Sequence, residues 1–230
     1  MNLLESLQQD LGAILVSAAY VIFVIALAEV LRRRGGMPQE VTRKIVHVGI
    51  GMWIVPTYLI FENRVWAAMP AAGFVVLNSL AWHFEWFRSM KGARRNIGVI
   101  LFPLSTALAL GFFWEGPARV IGASAMLVLT FGDAAAALVG QAHGRTRYVL
   151  FDHQRSLEGS LAMLGVSVLA ILGAFLVFGA PVGGAVVAAA LITAVVATGV
   201  EAICPWGLDN LLIPASVAST LLVTRSGVWG

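Results

Sequence analysis

The feature that leaves this chain fewest options is a succession of eight apolar runs, at about residues 11–31, 45–61, 65–84, 97–114, 118–140, 158–178, 182–202 and 209–225. A helix needs about 20 apolar residues to cross a hydrocarbon core of about 30 Å, and most of these runs approach that length. None shows the period of two that a membrane barrel strand requires. Backbone polar groups must be satisfied inside a bilayer, so helices are the remaining solution. The expectation is an all-α, polytopic integral membrane protein with about eight transmembrane helices and one transmembrane domain over residues 1–230.

Composition agrees, because 59% hydrophobic and 12% charged residues with a mean hydropathy of +0.87 lie outside the range of water-soluble domains. Gly35-Gly36-Met37-Pro38, Glu62-Asn63, Glu115-Gly116-Pro117, Gly179-Ala180-Pro181 and Cys204-Pro205-Trp206-Gly207 punctuate the runs. The second run is short and carries His47. Glu5 and Asp10, with no basic stretch before them, do not fit a cleavable signal peptide. The lone Cys204 excludes an intrachain disulfide and a cysteine-based zinc cluster.

Charge placement orients the runs. Arg32, Arg33, Arg34, Arg43 and Lys44 follow the first; Arg88, Lys91, Arg94 and Arg95 follow the third; Arg145, Arg147 and Arg155 follow the fifth. Twelve of the fifteen basic residues thus share one side, and Arg64, Arg119 and Arg225 take the other. The positive-inside rule makes the first group cytoplasmic and puts both termini on the non-cytoplasmic side. Basic residues so distributed set orientation and do not indicate a nucleic-acid partner. The expected location is a bacterial inner membrane.

Several polar residues are not explained by orientation. Asp133 lies inside the fifth run, where an acid costs about 2.5 to 3.5 kcal/mol on insertion scales, so it marks a functional site unless it snorkels or pairs. Arg43 and His47 share a helix face at i, i+4, with Lys44 beside them; that face could grip a phosphate or simply anchor the helix. Arg155 and Ser156 open the sixth run, where Ser156 can cap the helix and Glu158 suits its dipole. Free N–H groups at that helix start, with Arg155, would equally suit a polyphosphate. Glu201 closes the seventh run, where the dipole disfavours an acid, and Asp209 and Asn210 open the eighth, with Pro214 about one turn in. Acids there could help to hold Mg²⁺, which takes one or two carboxylates plus substrate phosphates. Weaker signals are Glu29 beside Arg32 and Arg33, a belt of His83, Glu85 and Arg88 among Trp82, Trp86 and Phe87, and a polar loop with His143, Arg145, Arg147 and His153 between Gly140, Gly144 and the sixth run. Basic groups, a helix start and several acids on one side suggest phosphoryl or nucleotidyl transfer at a lipid surface.

These residues also resemble a known family, the CTP-dependent lipid kinases that include dolichol kinase, phytol kinase and the yeast-type diacylglycerol kinase. Arg43-Lys44-x-x-His47 is similar to its RKxxH element, and Gly132-Asp133-x-x-Ala136-x-x-x-Gly140-x-x-x-Gly144 to its GDxxAxxxGxxxG. Ser156-x-Glu158-Gly159-Ser160 is similar to its KSxEGS, with Arg155 where Lys is usual. Glu201 followed by Asp209-Asn210-Leu211-x-x-Pro214 is similar to its ending. Phosphatidate cytidylyltransferases share relatives of the middle motifs, but their KD and HGGxxDR ending is lacking here. The resemblance implies a catalytic domain that moves the terminal phosphate of CTP to the hydroxyl of a membrane lipid alcohol, a phytol-, polyprenol- or dolichol-like one, or else diacylglycerol. It further implies Asp133, Glu158 and Asp209 as catalytic, and Arg43, Lys44, His47, Gly140, Gly144, Arg155, Ser156 and Asn210 as nucleotide- or phosphate-binding. Mg²⁺ would lie on Asp133, Asp209 and Glu201. A CDP-lipid synthase is the alternative enzyme. A transporter, which would need acids near the midplane and paired broken helices, fits least.

Overall fold

A computed structural model describes residues 2–84, 97–150 and 153–228. Ten α-helices and one short β-hairpin are found among them: α1 (Leu3–Arg34), α2 (Gln39–Met52), α3 (Ile54–Ile60), α4 (Arg64–His83), α5 (Gly98–Phe112), α6 (Ala118–Leu127), α7 (Asp133–His143), β1 (Arg147–Leu150), β2 (His153–Ser156), α8 (Leu157–Val177), α9 (Gly184–Ile203) and α10 (Asp209–Val228). Among the described residues, five helical stretches are long and apolar enough to cross a membrane: α1, α4, the continuous stretch Ala118–His143, α8 and α9. The basic residues Arg88, Lys91, Arg94 and Arg95, and the belt residues Glu85, Trp86 and Phe87, lie outside the described residues, as does the side chain of His153.

The helices follow the apolar runs, with local departures that have local causes. Helix α1 begins at Leu3, ahead of its run, because Asn2 and Glu5 form a reciprocal capping box. Its basic last turn suits the dipole, and Glu29 bonds to Arg32 at 2.7 Å and to Arg33. The second run is a broken pair, α2 and α3, divided at Trp53. Pro56 has no N–H to return to Met52, and the Trp53 N–H caps α2 on Ile50 and Gly51. The indole of Trp53 stacks on Tyr20 at 4.0 Å and donates to Ser17 Oγ at 3.0 Å, which ties the break to α1. The fourth run yields α5 of 15 residues, shorter than the other membrane-length helices. The polar loop after α7 is the β-hairpin, antiparallel with Tyr148 opposite Arg155.

The stretch Ala118–His143 is the central helix. Its membrane-length window is 78% buried, against 22% for α1, and α2, α3, α5, α8 and α10 all pack on it. Between α6 and α7 it contains one π-helical turn, Val128–Gly132, immediately before Asp133. Close packing here rests on small residues. A Cβ on Gly51 would collide with Thr130, and one on Gly132 would come within 2.9 Å of Ser167 Oγ.

The end opposite the hairpin is sealed by polar staples. Asp10, fully buried, accepts from the backbone N–H of Glu62 at 2.8 Å and of Asn63 at 3.0 Å. The indole of Trp66 donates to Ser6 Oγ at 3.0 Å. Arg119 donates to the carbonyls of Trp114 at 2.6 Å and Tyr58 at 3.3 Å and lies over the Trp114 ring. Tyr58, buried, donates to the Ala109 carbonyl at 2.8 Å.

Candidate active site at the hairpin end

The inner part of the site is made by α2 against the central helix. Lys44 and His47, at i and i+3, face it; Lys44 Nζ lies 2.5 Å from Asp133 Oδ2 and His47 Nε2 lies 3.7 Å from the same oxygen. Asp133 is buried, about 15 Å inside the end of its helix at 1.5 Å per residue. His47 also approaches the Leu129 carbonyl at 3.4 Å and packs on Phe102 at 4.7 Å. Leu129 belongs to the π turn, whose wider winding loosens the carbonyl ladder. Arg43 is exposed on α2, near enough for its charge to act on His47.

A polar cleft continues outward. Asp133, Ala136, Ala137, Gly140 and Gln141 recur at helical spacing along one stripe of α7. The last four line a cleft of about 220 Å³, with Arg147 and Gln154 from the hairpin, Arg155, Ser156, Gly159 and Ser160 from the hairpin end and α8 start, and Glu201. Asp133 thus stands one turn beneath its floor. Glycine keeps the floor low and its helices close: a Cβ on Gly159 would lie 2.6 Å from the Ala136 carbonyl, and one on Gly140 3.0 Å from Ser156 Oγ.

Arg155 accounts for the acid at the end of α9. Its Nη1 pairs with Glu201 Oε1 at 3.1 Å, and its Nη2 donates to the carbonyls of Glu201 and Cys204, each at 3.4 Å. The guanidinium therefore neutralises Glu201 and caps the helix. The turn to α10 is strained at Trp206, a non-glycine at φ 55°, followed by Gly207 at φ 89°; such a residue costs of order 1 kcal/mol. The turn presents Asp209, whose Oδ1 accepts from the backbone and side chain of Asn210, each at 2.9 Å. Ser105 on α5 holds the Asn210 carbonyl at 2.7 Å. The charges of Lys44, Asp133 and Arg155 all act on Asp209 and on Glu201.

This chain is 34% identical over 217 residues to the phytol kinase of the cyanobacterium Synechocystis, a match covering 90% of this chain and 88% of that one. The chain belongs to the phytol kinase family. It is also 27% identical to phytol kinase 1, chloroplastic, of Arabidopsis thaliana, over 69% of this chain and 56% of the relative. With the farnesol kinase, chloroplastic, of the same plant it shares 27% over 60% and 48%. It thus spans about half the length of these plant relatives. No family model and no solved structure matches it.

In this phytol kinase family member the sequence-expected residues divide. Lys44, His47 and Asp133 meet directly, and Gly140, Arg155, Ser156 and Glu201 meet at the cleft. Glu158 turns instead to the hairpin, where its carboxylate accepts from the Thr146 N–H at 3.1 and 3.3 Å. Ser156 caps α8 as its sequence position suggests, its Oγ accepting from Gly159, and Leu157 donates to the Thr146 carbonyl, so two of the N–H groups at that helix start are already committed. Gly144, implied by the resemblance to bind nucleotide or phosphate, packs tightly on Ser156. Among the described residues no three His, Cys, Asp or Glu side chains converge as a metal-holding group. Gln141 and Gln154 line the cleft without having been singled out, and Arg147, noted only as part of a polar loop, lines it as well; the hairpin that delivers two of the three has strands too short to leave a periodic signal.

Proposed function

We propose that this protein is a CTP-dependent kinase of a membrane isoprenoid alcohol, of which phytol-, polyprenol- and dolichol-like alcohols are the candidates. The observation that carries the proposal is the largely buried Lys44–Asp133 pair beneath a cleft lined by Arg147 and Arg155. Family membership and the names of the relatives support an isoprenoid acceptor.

In this reading the donor's phosphates occupy the cleft against Lys44, Arg155 and Ser156, and the alcohol reaches Asp133 from the bilayer. The hydroxyl oxygen attacks the terminal phosphorus, the bridging P–O bond breaks, and the nucleoside diphosphate leaves. Asp133 orients the hydroxyl and receives its proton. Positioning and charge compensation carry most of such a reaction. His47 stands beside the carboxylate, its Nε2 3.7 Å from Asp133 Oδ2. Mg²⁺ fits the donor set, since it takes one or two carboxylates with phosphate oxygens; Asp133 and Asp209, with Glu201 nearby, are its candidate ligands. Bound there, Mg²⁺ would offset charge on the phosphate oxygens.

The topology that goes with this has eight crossings, with α2 and α3 together making one broken span and α5 and α10 completing the set. Both termini are then non-cytoplasmic, and the hairpin, Lys44 and Asp209 face the cytoplasm. Basic-residue segregation supports this orientation. The test is to supply purified protein and Mg²⁺ with CTP, UTP, ATP or GTP and with phytol, farnesol, a polyprenol or diacylglycerol, and to identify the lipid product by mass. An isoprenyl monophosphate formed best from CTP is the expected result, and phosphorylation of diacylglycerol alone would overturn the acceptor assignment.

A further inference from the structure

We infer that Arg147, delivered by the β-hairpin, is a third phosphate-binding cation for the donor nucleotide, beside Lys44 and Arg155; this rests on the kinase reading above. Three observations lead to it. Strand register places Arg147 opposite Ser156, and alternation puts Gln154 on their face of the hairpin. All three line the cleft. The guanidinium is held by neutral groups only, with Nε donating to the Gly144 carbonyl and Nη1 to Gln154 Oε1, each at 3.4 Å.

The other cations of the site are already matched by acids. Lys44 pairs with Asp133, and Arg155 with Glu201. Arg147 has no acidic partner among the described residues. Two of the backbone donors at the start of α8 are committed as well, Leu157 to the Thr146 carbonyl and Gly159 to Ser156 Oγ. A polyanion entering this cleft therefore meets one cation whose charge is not already balanced. Its fork geometry suits bidentate binding of phosphate oxygens. Gln154 acts through Arg147 and is a positioning residue.

The test is steady-state kinetics of Arg147→Ala, Arg147→Lys and Gln154→Ala, together with direct binding of CMP, CDP, CTP and inorganic tripolyphosphate. Arg147→Ala is expected to raise the donor KM by about ten- to a hundredfold, the scale of a charge-assisted hydrogen bond. The KM for the alcohol stays where it was. Arg147→Lys recovers part of the loss, and Gln154→Ala gives a smaller rise that vanishes in the Arg147→Ala background. Weakening of binding should grow from CMP to CDP to CTP and appear with tripolyphosphate. An unchanged donor KM, or equal loss for donor and alcohol with lowered thermal stability, overturns the inference in favour of a purely structural hairpin. If the wild type transfers phosphate from no nucleotide, the kinase reading fails, and tripolyphosphate binding still decides the role of Arg147.

Discussion

Charged residues are buried at both ends of this bundle, but they are used in different ways. At the sealed end each charge is spent on backbone: Asp10 receives two N–H groups ahead of α4, and Arg119 feeds two carbonyls. At the hairpin end the charges address one another, Lys44 with Asp133 and Arg155 with Glu201, beside an open cleft. A charge matched to backbone dipoles is a staple that no ligand can exchange. Ion pairs between side chains can be rearranged when a charged ligand arrives. The same residue types therefore brace backbone at one end and pair with one another beside an open cleft at the other.

Substitutions can break this contrast. The largest effect is expected of Asp133→Asn, which keeps the shape and removes the charge: turnover per folded molecule falls by about a thousandfold or more, far beyond any loss of thermal stability from leaving Lys44 without its acid. Asp10→Ala should do the reverse, costing about 2 kcal/mol of stability through two stranded N–H groups and leaving turnover per folded molecule intact. If Asp10→Ala abolished turnover in folded protein, the division between the ends would be lost.

Smaller effects sharpen the picture of the cleft. Gly159→Ala drives a methyl toward the Ala136 carbonyl and should cost about 1 to 3 kcal/mol by overpacking, with a raised donor KM because the floor lifts. A thermal scan and donor titration of the variant check both. Cys204 is buried and burial pushes its thiol above the usual range, so it stays protonated and should label slowly with maleimide in the folded protein. Cys204→Ala should leave turnover unchanged, as a labelling and activity assay would show.

Much of the site was legible in the sequence, because an intramembrane acid such as Asp133 is costly enough to demand a reason and the Lys44 and Arg155 motifs surround it. What could not be read depends on contacts far apart in the chain. Glu201 stood out as misplaced at a helix end, but its partner Arg155 lies 46 residues away. Asp10 carried no local sign that it caps residues 62 and 63. The hairpin escaped because four-residue strands are too short for alternation to show. The helices themselves were plain from the apolar runs, except where Pro56 divides one, a break that the run's hydrophobicity concealed.

The most direct test of the central claim uses CTP labelled either at its terminal or at its innermost phosphate, with phytol in lipid vesicles and the purified protein. Extraction of the lipid phase should recover the terminal label as an isoprenyl monophosphate, with the inner label left in aqueous CDP. Inner label in the lipid phase, or none of either, would contradict the account.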